Sequence, residues 1–276
     1  MILHALPQNS FAATVLNSSG IMGLAIMLVI LFTCSAAIGS FVNACAMRLV
    51  RGEDVVFARS RCRSCAQQLG VLENLPVIGY LRHLGRCHCG KTQIGARYFG
   101  VETGFALLII NYALILPPLV VVGFAIAATC LSIAVLTDLE AMILHPTLLV
   151  MAAIPGCGLA ATNAWQITGW HTDLADATAG IVVGAGVPIL ANALYRWRRG
   201  QNGFGQGDFW LSAAVGAWLG PVYGLLAFFL ACFVGATIGI YLIIRDRANA
   251  VTRLPFGVFL GGTFLLFPNI LLLFPW

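Results

Sequence analysis

Apolar residues in this chain do not alternate with polar ones at the spacing of an amphipathic helix or a strand; they run on, broken by short polar stretches. A helix that is apolar all round belongs in a membrane or a large core. Seven runs reach the roughly 20 residues that a bilayer crossing takes: Ile21–Met47, Tyr98–Leu116, Leu119–Thr137, Ile143–Ala161, Asp176–Arg196, Phe209–Ile244 and Leu254–Trp276. The sixth is too long for one crossing and carries Gly220-Pro221, where proline has no N–H to continue the helical ladder. A break there gives eight helices, the sixth of them short. The pattern predicts an all-α polytopic membrane protein with about eight transmembrane helices. One sizeable polar island interrupts it. The expected organisation is an outer N-terminus and first transmembrane helix (1–47), a small cytoplasmic cysteine domain (48–97) and a seven-helix membrane domain (98–276).

Composition agrees. Hydrophobic residues are 60% of the chain and charged residues 9%, against about a quarter charged in soluble domains. Lysine and arginine accumulate on the cytoplasmic side of membrane proteins. With residues 48–97 inside and the spans alternating, all fifteen Lys and Arg fall inside. They are Arg48 to Arg97 in the island, then Arg196, Arg198 and Arg199, then Arg245, Arg247 and Arg253. The connection Ala161–Ala175 on the other side has none. Both termini are then outside. The net charge of +5 reports topology and calls for no nucleic-acid partner; the lipid bilayer is the expected surrounding. No Lys or Arg precedes Arg48, so the first helix is expected to be an uncleaved anchor.

Two acids stand where acids are expensive. Asp138 closes the third run and Asp208, in Gly205-Gln206-Gly207-Asp208, opens the sixth. The topology puts both at the cytoplasmic edge, where a pair that meets can share one proton and activate water. Gly205 and Gly207 offer a substrate strand a close approach to backbone. The plainer reading of the same four residues is a turn with Asp208 as helix N-cap. A proton-coupled transporter would also need acids, but near mid-membrane. Glu140, two residues beyond Asp138, points to another helix face. Glu102 is expected to pair with Arg97 or to contact substrate, Asn43 and Asn111 to form interhelical hydrogen bonds, and His145 to be structural. Gly235-x-x-x-Gly239 and Gly257-x-x-x-Gly261 read as weak packing motifs.

The island holds Cys62-Arg63-Ser64-Cys65 and Cys87-His88-Cys89. Two close pairs can supply four thiolates to a tetrahedral zinc ion, and a metal helps a fifty-residue island fold. A reducing compartment argues against disulfides. The C-x-C spacing leaves His88 as a substitute ligand. Cys34, Cys45, Cys130, Cys157 and Cys232 lie in apolar runs and read as packing residues.

Five motifs in order carry a resemblance. Gly39-Ser40-Phe41-Val42-Asn43 before Arg48-Leu49 comes first. The cysteine quartet follows, with Glu73-Asn74-Leu75-Pro76 inside it and Gly85-Arg86 before its second pair. Then come Arg97-Tyr98 with Glu102, Asp138-Leu139-Glu140, and Gly205-Gln206-Gly207-Asp208. Together they resemble the bacterial prepilin peptidases, or type IV leader peptidases, whose G-x-G-D motif is shared with presenilin-like intramembrane proteases. The resemblance implies an aspartic endopeptidase of the inner membrane with Asp138 and Asp208 as catalytic residues. It implies a zinc-binding cytoplasmic loop and, as substrates, the prepilins of type IV pili or the pseudopilins of type II secretion. Many members also methylate the new amino terminus with S-adenosylmethionine. The chain departs from the family pattern at Trp210, where a lysine is usual, at Asn202 in place of a glutamate, at His145-Pro146 in place of Pro-Asp, at Arg63, and in the C-x-C spacing. A zinc-containing scaffold of a pilus or secretion machine that has lost catalysis is the other reading these departures leave open.

Overall fold

The computed structural model describes residues 7–55, 70, 75–82, 85–86, 95–162, 166–167, 170–171, 173–245 and 253–273. They form two compact units that divide between Val121 and Val122.

The first unit is built on α1 (Phe11–Arg51) and α3 (Ala96–Ile115), with a short α2 (Ile78–Arg82) between them in sequence. Ser10 caps α1, its hydroxyl accepting from the Ala13 N–H at 3.1 Å. The helix is not straight. Gly20 has φ 65° and ψ −165°, a conformation open essentially to glycine alone. A Cβ on Gly23 would lie 3.6 Å from Val15, eight residues back, so the chain reverses at Gly20. The short arm before it packs Ala12 against Leu24 and Met27, and the Phe11 N–H donates to Leu116 O at the end of α3. The run Ile21–Met47 is therefore the long arm of a helical hairpin whose first arm is not evident from hydropathy. Asn43 forms the expected interhelical bond, from Nδ2 to Tyr98 O at 3.3 Å. Asn111 Oδ1 is buried without a partner among the described residues.

The second unit contains most of α4 (Pro118–Ala141), then α5 (Pro146–Ala161), α6 (Leu174–Arg199), α7 (Gln206–Ile244) and α8 (Phe256–Leu273). A two-residue antiparallel pair, β1 (Gln166–Ile167) and β2 (Trp170–His171), sits in the α5–α6 connection. The break expected at Gly220-Pro221 is present: Gly220 has φ 70° and ψ −177°. A Cβ on Gly224 would be 3.2 Å from Gly216 Cα, which a continuous helix, rising about 1.5 Å per residue, cannot allow. α7 thus folds back as a hairpin of two arms. Among the described residues, the long arm of α1, both arms of α7, and α3, α4, α5, α6 and α8 make eight apolar helical segments, which fits the number expected.

Small residues let α6 and α7 touch backbone to backbone. A Cβ on Gly180 would overlap Gly216 O, one on Gly216 would overlap Gly180 O, and one on Gly184 would overlap Ser212 O. Such approaches drive association where lipid removes the hydrophobic force between helices. Trp218, 2% exposed, fills the middle of the unit, with Phe124 and Phe264 against its ring. The outer surface is apolar. Ile21, Met22, Val182, Leu190, Val222 and Ile244 are all at least 70% exposed, an arrangement suited to lipid and hostile to water. Among the described residues, five helices are long and apolar enough to cross a membrane: α1, α3, α4, α6 and α7; α5 and α8 are shorter apolar helices.

Candidate active site

Three helix ends converge in the second unit: the last turn of α4 and the first turns of α7 and α8. Each is fixed by local chemistry. α4 stops after Ala141 because Met142 takes a left-handed φ of 55°, its N–H donating to Asp138 O at 2.8 Å. The chain then turns Leu144 inward. α7 starts at Gln206 with Gly205 as N-cap, and Asp208 at the third helical position reaches back so that Oδ2 accepts the Gly205 N–H at 2.8 Å. Asp208 is therefore not the N-cap itself but the returning half of a capping box. Asn192 on α6 holds the preceding loop, its Oδ1 accepting the N–H groups of Gly203 at 2.7 Å and Phe204 at 3.1 Å. Phe204, just before α7, and Phe256, the first residue of α8, meet edge to face with centroids 5.2 Å apart, and both contact Phe228 on the second arm of α7. That cluster ties the two helix starts together.

Asp138 is 4% exposed. Backbone N–H groups of Gly257 and Val258, in the first turn of α8, are donors to its carboxyl. Its Oδ2 is buried with no hydrogen-bond partner among the described residues. Asp208 is half-buried and lies close enough for the Asp138 charge to act on it. The two sequence-flagged acids are thus brought within each other's field. Such a pair disfavours double ionisation and can hold one proton between its members. Leu144 lies beside Gly207 and Gly257. A Cβ on Gly207 would stand 2.5 Å from Leu144 Cβ, and one on Gly257 would stand 2.8 Å from Asp138 Oδ2 and 3.1 Å from Leu144 Cδ2. The space beside Gly207 is taken by Leu144, while beside Gly205, among the described residues, only Asp208 Oδ2 is near, 3.5 Å from an added Cβ. Glu140 is exposed, on another face from Asp138. His145 is the N-cap residue of α5 without a side-chain capping bond.

Elsewhere, Glu102 is buried in the first unit, and its Oε2 accepts the Val77 N–H at 2.7 Å. Val77 has φ 63°, strained for a β-branched residue. A Cβ on Gly39 would lie 3.0 Å from Glu102 Cα, so this glycine lets α1 pass close to α3. Cys62, Cys65, Cys87 and Cys89, with His88, lie outside the described residues. Among the described residues, no group of three or more His, Cys, Asp or Glu is placed to hold a metal.

Asn192, Leu144 and Gly257 escaped the sequence reading as site residues. Asn192 carried a usable signal, a lone amide in an apolar run. Leu144 carried none.

Apolar helix surfaces, and two acids brought near each other at helix ends, define a multi-pass membrane protein with an acid pair. Comparison with known proteins narrows that class. Residues 33–116 match the bacterial peptidase A24 N-terminal domain and residues 125–240 match the type IV leader peptidase family. A prepilin leader peptidase/N-methyltransferase of Pseudomonas putida is 32% identical over 212 residues, 75% of this chain and 70% of that one. Proteins of the same description from Aeromonas salmonicida (strain A449) and Burkholderia pseudomallei (strain 1026b) are each 33% identical, over 75% and 76% of this chain and 70% and 67% of theirs. The chain belongs to the type IV leader peptidase family. No solved structure matches it.

Proposed function

We propose that this protein is a membrane aspartic endopeptidase that removes the short basic leader of prepilins or pseudopilins, with Asp138 and Asp208 as its catalytic pair. The observation that carries the reading is the burial of Asp138 with its charge within reach of Asp208, in a chain of this family. The pair works with one proton. The ionised carboxylate takes a proton from water as the water oxygen attacks the scissile carbonyl carbon, and the protonated partner gives its proton to the carbonyl oxygen. Collapse of the tetrahedral intermediate breaks the C–N bond. The departing amine takes the proton held by the first carboxyl, the second is reprotonated from the intermediate's hydroxyl, and the pair returns to its starting state. Gly205 is read as the backbone edge beside which the unwound substrate lies; Gly207, expected to share that role, has the space beside it filled by Leu144. The cytoplasmic face of the inner membrane is the expected location, from the arginine distribution.

Methyl transfer to the new amino terminus is the second activity we propose, since the relatives' names carry it. S-adenosylmethionine would be the donor; no residue here is assigned to it. Cys62, Cys65, Cys87 and Cys89 are proposed to hold a structural zinc ion. Four soft thiolates suit zinc, and the ion would tie the island into one fold; metal analysis of the purified protein beside Cys62→Ser tests this.

The decisive experiment is cleavage of a synthetic prepilin, a basic leader followed by an apolar helix, by protein in detergent or vesicles. Asp138→Asn and Asp208→Asn should each lower kcat by at least about 10³-fold, as removing a member of a catalytic unit does, with the melting temperature maintained. Leader removal at wild-type rate by either variant would sink the assignment.

A further inference from the structure

The acid pair is not symmetrical, and the asymmetry comes from a residue outside the G-x-G-D motif. Asp208 takes a backbone N–H from its own helix start, Gly205 at 2.8 Å. Asp138 belongs to the last turn of one helix and faces the first turn of another, where the N–H groups of Gly257 and Val258 are directed at its carboxyl. The start of a helix concentrates unsatisfied N–H groups and positive potential, a natural seat for an anion. Asp138 is more than nine-tenths buried, and its Oδ2, without a partner among the described residues, lies where a Gly257 side chain would begin, 2.8 Å from an added Cβ. Glycine at 257 therefore does two things at once. It leaves the volume that the carboxyl occupies, and it lets the first turn of α8 come near enough for its amides to serve.

We propose that Gly257 is a positioning residue of the reaction: it seats the Asp138 carboxyl against the start of α8 and makes Asp138 the member of the pair that takes the proton from water. This rests on the catalytic reading of Asp138 and Asp208. Asp208 then carries the shared proton and gives it to the substrate carbonyl oxygen. Among the described residues, Asp208 is the charged group whose interaction with Asp138 is resolved; Gly257 and Val258, whose N–H groups the Asp138 carboxyl accepts, are uncharged.

Gly261, one turn further along α8, supplies the packing control. Its added Cβ would overlap Val135 Cγ2 on α4 and would meet no carboxyl. Gly257→Ala and Gly261→Ala thus insert the same methyl between the same two helices, only one of them at the acid. The cleavage assay should be run across pH with kcat and KM separated, alongside thermal unfolding. Gly257→Ala should lower kcat at least about tenfold with KM within about twofold. It should also move the acid limb of the kcat profile to higher pH by roughly one unit, because the ionised base has lost donors that favoured its charge. Gly261→Ala should keep the wild-type acid limb, whatever it does to stability. Should Gly257→Ala not fold, the same reading is taken on Gly257→Ala with Leu144→Ala, which removes the other group the new Cβ meets. A Gly257→Ala profile that superimposes on wild type overturns the proposal, and so does an equal shift in Gly261→Ala. If Asp138→Asn or Asp208→Asn still cleaves, the catalytic reading itself falls. An inactive Asp138→Asn beside an unshifted Gly257→Ala removes only the role given to Gly257.

Discussion

Trp218 shows how a single side chain can set the geometry of a bundle. Its Nε1–H donates to Ala152 O at 2.7 Å, joining α7 to α5, while its ring lies 4.5 Å from Phe124 and 5.9 Å from Phe264 between centroids. Gly156 beneath it has no room for a side chain, since a Cβ would lie 2.9 Å from the indole. Trp218→Phe loses the hydrogen bond and part of the ring, and should cost about 2 kcal/mol. Trp218→Ala should cost about 4 kcal/mol. Both are read as lowered unfolding temperature in detergent. The site was partly legible at this scale. Asp138 and Asp208 stood out because acids are scarce in apolar runs and each needs a reason to be there. Gly257 and Leu144 did not, because their roles exist only across helices: one is an empty volume beside a carboxyl, the other an ordinary apolar side chain turned inward by the left-handed Met142. Glu102 is expected from sequence to pair with Arg97 or to contact substrate, whereas its bond to the Val77 N–H joins residues 25 apart in sequence.

At the scale of helices, hydropathy located the runs and missed how they are held. Each of the seven apolar runs falls on its own helix, the sixth on the two arms of α7, and the Gly220-Pro221 break was readable because proline cannot continue a ladder. The Gly20 reversal was not, since a lone glycine in a polar-flanked stretch gives no warning of a left-handed φ. Nor was the right glycine motif singled out. Gly257-x-x-x-Gly261 does face α4, but the tightest approach is Gly180 and Gly184 against Ser212 and Gly216, spacings that look no different in sequence. Backbone contact of this kind tolerates no methyl. Gly180→Ala should cost at least about 2 kcal/mol through overpacking and deplete folded protein, whereas Gly186→Ala on the same helix, with nothing within 4 Å, should be neutral or slightly stabilising by helix propensity. Fluorescence-detected size-exclusion profiles of the two variants after a heat step separate these outcomes. Equal behaviour would mean that the α6–α7 contact is looser than the structure has it.

For the whole molecule, the α7 hairpin decides whether the charge pattern and the acid pair agree. The first arm, Gln206–Leu219, is fourteen residues and so about 21 Å long, short of the roughly 30 Å of hydrocarbon. It reaches only part-way, and protein rather than lipid covers it: Leu211, Ser212 and every residue from Ala214 to Gly220 are buried. A partial helix at membrane depth is acceptable when enclosed in this way. The reversal at Gly220 returns the second arm, so Asp208 at one end of α7 and Arg245 at the other lie on one side, as the arginine rule requires. A straight α7 would have put Arg245 opposite Arg196, Arg198 and Arg199. Hence residue 173, before α6, and residue 202, after it, belong on opposite faces, with 202 sharing the face of the acid pair. In a cysteine-free background, Asp173→Cys should react with a membrane-impermeant maleimide in intact spheroplasts, and Asn202→Cys should react only after permeabilisation. Labelling of Asn202→Cys in intact spheroplasts would put the acid pair on the outer face, where a leader still attached to a cytoplasmic precursor cannot reach it.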